Sequence, residues 1–107
     1  MHLRFDFVEH LRQQRIWSEK TFGPGDRSKG IIQHIGKELE ELRAQPQDLE
    51  EWIDVIILAL DAAWRIGASP EEIIGKLVEK TKKNHSRRWP DWRTKSKNEA
   101  IEHVRDE

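Results

Sequence analysis

The sequence predicts an all-α fold, and three observations predict it. Alternating β-branched residues, the period-two signature of a strand, are absent. Apolar residues instead recur at helical spacing in separate stretches. Between those stretches stand residues that stop or start helices: Gly23-Pro24-Gly25, Gln45-Pro46-Gln47, Gly67 with Ser69-Pro70, and Trp89-Pro90.

Four helices follow in order. The first is expected from about Asp6 to Glu19, with Phe7, Val8, Leu11 and Ile16 facing inward. It stops before Phe22-Gly23-Pro24-Gly25, a connecting loop that lacks the Gly-x4-Gly-Lys-Ser/Thr pattern of a phosphate-cradling loop. The second covers roughly 28–44, where Ile31, Ile32, Ile35, Leu39 and Leu42 form a core stripe and His34, Glu38 and Glu41 an edge stripe. The third opens on Asp48 as N-cap and ends after Arg65 at Gly67. It is apolar almost all round from Trp52 to Trp64, so it is expected to be central and buried. The fourth starts on Ser69, Pro70 and Glu72, a capping box, and ends at Trp89-Pro90. The polar tail, 91–107, is expected to be loosely ordered, with a short helix near 98–104.

At 107 residues the chain reads as a single domain, 1–107. Nineteen basic residues against twenty acidic ones argue against wholesale nucleic-acid binding. With no cysteine there is no thiolate nucleophile or thiolate metal site. The longest apolar run, 55–60, is too short to cross a bilayer, and the N-terminus lacks a signal-type apolar region. A cytoplasmic protein without membrane contact is the default. Only 36% of residues are hydrophobic, so a lone monomer has little core to bury and association between copies is expected.

The third helix carries the chemistry. Glu51, Asp54, Asp61 and Arg65 share one side of an otherwise apolar segment. Buried carboxylates there must be paired, for instance with Arg65 or a base on a neighbouring helix, or must hold a cation. Glu51-x-x-Asp54 and Glu38-x-x-Glu41 each place two carboxylates on one helix side, and the turn at Pro46 folds the two helices together. Four converging carboxylates suit a hard divalent cation such as Mg²⁺. Glu-x-x-Glu alone arises readily by chance on a solvated face, so the weight falls on Asp54.

Lys80, Asn84 and Arg87 lie on one face of the fourth helix. Alone they read as a solvated basic face; beside the acids they are the donors that a metal–triphosphate site needs. The histidines have no metal-ligand spacing, which argues against zinc. His34 alone shares a stripe with the acids, and a structural hydrogen bond is favoured there over catalysis. Trp52 and Trp64 read as core or interface residues, with stacking on a nucleobase as the rival reading.

The residues resemble a known family. The Glu-x-x-Glu, Glu-x-x-Asp arrangement is similar to that of the all-α MazG-like nucleoside triphosphate pyrophosphohydrolases. The likeness tightens toward the dATP/dGTP pyrophosphohydrolase subgroup, which includes phage MazZ-type proteins. It is carried by TFGPGDR (21–27), HIGKELEEL (34–42), DLEEWIDVIILALDAAWRIG (48–67) and KTKKNHSRRWPDWR (80–93). The resemblance implies a four-helix MazG-like bundle completed by dimer or tetramer assembly. It also implies hydrolysis of a purine deoxynucleoside triphosphate, dATP or dGTP, to the monophosphate and pyrophosphate with Mg²⁺ or Mn²⁺. By the same likeness Glu38, Glu41, Glu51 and Asp54 would be metal ligands, with Glu38 or Glu41 orienting water. Lys80, Asn84 and Arg87 would hold phosphate or sugar, Asp61 would contact ribose or support the site from outside, and His34 would lie near the substrate. For a phage-encoded protein the compartment would be the host cytoplasm. The rival class is a helical nucleic-acid-binding module using the basic–aromatic stretch 87–93.

Overall fold

The four expected helices form in the computed structural model of the chain, which describes residues 4–105. In order they are α1 (Phe7–Phe22), α2 (Ser28–Ala44), α3 (Leu49–Arg65) and α4 (Pro70–Ser86), with a 3₁₀ turn at Trp92–Thr94. The described residues contain no strand, so the fold is all-α. None of its helices is long and apolar enough to cross a membrane. Contacts divide the chain into two compact units, the first ending at Ile73 and the second beginning at Ile74, inside α4.

Within the first unit the helix ends follow local chemistry. The Asp6 carboxylate accepts from the Glu9 N–H at 3.0 Å, capping α1. That helix runs three residues beyond Glu19, to Phe22, and stops where Gly23 takes φ 89°, a conformation a side chain would disfavour. Asp48 caps α3 by accepting from the Glu50 N–H at 3.1 Å. The capping box of α4 is reciprocal: Ser69 Oγ accepts from the Glu72 N–H at 3.1 Å, and Glu72 Oε1 accepts from the Ser69 N–H at 3.2 Å. At the start of α2 the cap position, Arg27, offers no side-chain bond. Asp26 accepts from the Ser28 hydroxyl and backbone N–H instead, and those two bonds hold its carboxyl below the usual range.

α3 packs chiefly on α2 and less extensively on α1. The inward lines differ from the expected stripes. On α2 the least exposed positions are Ile31, Ile35, Glu38 and Leu42, spaced four, three and four. Glu38 therefore faces inward rather than along an edge, while Ile32 and Leu39 stay exposed. On α1 the inward line is Leu11, Gln14 and Ser18, and Ile16 points outward. Polar residues disguised that face, and each has a partner far along the chain: Gln14 Nε2 donates to the Ile57 carbonyl at 2.9 Å, and Ser18 Oγ accepts from Arg65 at 2.8 Å. α3 is central as expected but not fully buried. Trp64 is enclosed, whereas Trp52, Ile53 and Ile56 are 46%, 42% and 52% exposed.

The second unit holds the rest of α4 and the tail. The expected helix near 98–104 is absent. The Val104 N–H reaches back to the Arg88 carbonyl at 2.8 Å, and the His103 ring meets Trp89 edge-on at 5.9 Å. The tail is thus tied to the end of α4 by contacts that a local helix would break.

Candidate functional site

Glu38 and Glu41 on α2 meet Glu51 on α3 at the hairpin between the two helices. The turn is short, and the Trp52 indole N–H donates to the Pro46 carbonyl at 2.9 Å, pinning it to α3. One carboxylate oxygen from each acid falls within 4.8 Å of the others. Asp54 is not part of this trio; one turn along α3 it lines an adjoining cleft together with Glu38 and His34.

Three carboxylates so close cannot all be ionised at no cost. The Glu51 carboxyl is pushed from its ordinary 4.5 up to about 8, mainly because the Glu38 carboxylate, and then that of Glu41, is close enough to share a proton with it; partial burial adds to this. Oε2 of Glu38 and Oε2 of Glu51 are buried and accept no hydrogen bond. Glu38 Oε1 is approached by a base, His34 Nε2 at 3.3 Å. Oxygen donors that are crowded, anionic and unpartnered fit a hard divalent cation, and Glu38, Glu41 and Glu51 are the residues that could hold it.

This crowding sets a pH dependence. In chelator, the folded chain keeps the Glu51 proton up to about 8, while the unfolded chain releases it near 4.5. The native state then binds more protons across that interval, so stability falls as pH rises through it and levels off above. Melting temperature measured against pH in chelator is expected to decline across this range; a flat profile contradicts it.

Asp61 and Arg65 form a second polar centre. Arg65 is committed to Asp61, not to Asp54: Nε donates to Asp61 Oδ2 at 3.2 Å in a buried pair. Nη1 donates to the carbonyls of Gly23 and Gly25 at 2.8 and 2.9 Å, and Nη2 to Ser18 Oγ. The guanidinium also lies 4.5 Å from the centre of the Trp64 ring. The Gly-Pro-Gly loop is therefore clamped to α3 by one arginine. A lone arginine four residues after an aspartate at the end of an apolar helix was the available signal. Trp64 is core, as expected; Trp52 is a half-exposed latch on the hairpin.

Lys80, Asn84 and Arg87 lie in the second unit, at the C-terminal part of α4 and just beyond it. Asn84 Oδ1 accepts from Arg87 Nη1 at 3.2 Å, and the Asn84 carbonyl accepts from the Trp89 indole at 2.8 Å. Lys80 and Arg87 help to depress the nearby His103 pKa, though burial is the larger cause. In the basic–aromatic stretch, Arg93 is bonded to Asp91 at 3.0 Å and lies 5.8 Å from the Trp92 ring centre.

Comparison with known proteins decides the family. The dATP/dGTP pyrophosphohydrolase family matches residues 10–107, nearly the whole chain. The chain belongs to the dATP/dGTP pyrophosphohydrolase family. That family is one of hydrolases. It is also similar to the Eaa protein of Salmonella phage P22, at 40% identity over 84 residues. The match covers 78% of this chain but only 26% of that relative. No solved structure matches the chain. Composition pointed only to a helical domain; it was the acids and the residues around them that suggested this pyrophosphohydrolase family.

Proposed function

We propose that this pyrophosphohydrolase-family chain hydrolyses a purine deoxynucleoside triphosphate, dATP or dGTP, to the monophosphate and pyrophosphate. Glu38, Glu41 and Glu51 would hold Mg²⁺ or Mn²⁺, with Asp54 as a further carboxylate beside them. The observation carrying this reading is the acidic trio within 4.8 Å, with two buried oxygens that accept nothing and a Glu51 proton retained to about 8. Without a counter-charge such a cup would repel the substrate. When bound, the cation neutralises phosphate charge and makes an attacking water more acidic.

The chain's own groups do the rest. Glu38 or Glu41 orients a water toward the α-phosphorus and takes its proton. The bond from the α-phosphorus to the bridging oxygen breaks, and pyrophosphate leaves with that oxygen. Lys80 and Arg87 give cationic donors for phosphate, and Asn84 a neutral one for phosphate or sugar. His34, 3.3 Å from Glu38, holds that carboxylate's orientation beside the substrate.

The deciding experiment is pyrophosphate release from the deoxynucleoside triphosphates, with Mg²⁺ or Mn²⁺ and with chelator. Metal-dependent release from dATP or dGTP is expected; none with either ion removes the reading.

A second copy of the chain is the proposed partner, as a homodimer or homotetramer. Support comes from the apolar side of α2 and α3 left open in one copy: Ile32, Leu39, Trp52, Ile53 and Ile56. Sedimentation at micromolar concentration is expected to find a dimer or larger species, and a monomer alone would refute the assembly.

A further inference from the structure

The tail holds the end of α4 through a short chain of contacts. His103, half-buried, meets the Trp89 ring edge-on at 5.9 Å, and the Val104 N–H donates to the Arg88 carbonyl at 2.8 Å. The Trp89 indole N–H donates at 2.8 Å to the Asn84 carbonyl, in the last turn of α4, where carbonyls have run out of helical partners. Asn84 Oδ1 in turn accepts from Arg87 Nη1 at 3.2 Å. The turn that carries Asn84 and Arg87 is thus steadied by residues of the tail.

The attachment lies near solvent: Trp89 and Val104 are 45% and 41% exposed. Contacts of this kind open far more readily than a core does. His103 makes them sensitive to charge. Burial first, then Arg87 just past α4, Arg105 on the tail and Lys80 on α4 oppose a proton on its ring and hold its pKa below the ordinary 6.5. Glu102 favours the proton more weakly, and Lys95 lines the same recess as the ring. An indole attracts a cation, but three neighbouring cations stand against that pull. A ring detached from α4 regains its ordinary pKa, so a proton favours the detached tail. Attachment is therefore at full strength above 6.5 and is lost as pH falls from there through the lowered value.

We propose that His103 and Val104 form a strap on the end of α4, and that His103 is a positioning residue which, through Trp89, holds Asn84 and Arg87 in place while its ring is neutral. The strap itself stands on the contacts above. Its consequence for phosphate binding rests on the triphosphate reading, in which Asn84 and Arg87 are donors. Protonation of His103 frees Trp89, uncovers the Asn84 carbonyl and lets the two donors move apart.

Hydrogen exchange of the full chain, followed by NMR without substrate, reads the strap directly. Protection of the Val104 amide and the Trp89 indole N–H, corrected for intrinsic exchange, is expected to fall together as pH is lowered from about 7.5 to about 5. The fall should be about tenfold for each unit by which the His103 titration, measured in the same samples, lies below 6.5. His103→Phe keeps a ring against Trp89 but cannot take up a proton, and its protection is expected to change by less than about twofold over that range. Protection that ignores pH in the parent, or falls equally in His103→Phe, overturns the strap. In pyrophosphate release with Mg²⁺, His103→Ala is expected to raise KM by about threefold or more with kcat nearly unchanged, and His103→Phe to restore KM. An unchanged KM in His103→Ala overturns the positioning role. Absence of hydrolysis in the parent counts against the proposed activity alone, since the exchange measurement still decides the strap.

Discussion

Glu38→Gln is expected to slow pyrophosphate release by at least about 100-fold, because loss of even an outer-shell partner of a metal site costs 10- to 100-fold. Glutamine keeps the shape of the side chain, so α2 and its packing remain. The substitution removes one of three crowded carboxylates, the one that contributes most to holding Glu51's proton. Metal-free Glu38→Gln is therefore expected to melt no lower than the parent well above pH 8, where the parent's Glu51 has lost its proton. This separates the two effects: activity falls while the fold holds or gains. Asp54→Asn is expected to lose turnover with its fold intact as well. Full activity in either purified variant contradicts the ligand assignment.

Arg65→Met is expected to be the most destabilising single change, by about 3–5 kcal/mol, the cost of breaking a buried ion pair from one side. Methionine fills much of the same space but leaves Asp61 charged and without its partner, and frees the carbonyls of Gly23 and Gly25. Against a total of about 5–15 kcal/mol for a domain, this removes a large share. At roughly 4–8 °C per kcal/mol for a chain near this size, the melting temperature should drop by more than about 12 °C. A shift of a few degrees would mean that the loop is held by something else.

The helices were legible because their ends are written in local chemistry. Asp48, Ser69 with Glu72, and Gly67 act within a turn of their own position, so tertiary packing had little to override. The inward faces were less legible. Apolar periodicity counted Ile16, Ile32 and Leu39 as core, yet one copy leaves them exposed and turns Gln14, Ser18 and Glu38 inward. Gln14 and Ser18 are tolerated by partners far along the chain, and Glu38 by His34 and by a proton shared with Glu51, none of which apolar spacing reveals. For the same reason the wall that α1 gives to the cleft beside Asp54 was missed, although Glu38, Glu41 and Glu51 were found. The acids announced themselves through their charge; Gln14 is turned inward by an amide bonded to a carbonyl 43 residues away.

The acidic cup is built by two helices that follow one another in the chain, joined by a turn that Trp52 pins to Pro46. Contacts between sequence neighbours close early, since little chain entropy is lost in bringing them together. The crowding of the glutamates is therefore expected to be met as this hairpin forms, and to be outweighed there by the apolar contacts between α2 and α3. Acidity at this place is a tax on the speed of folding as well as on the final state.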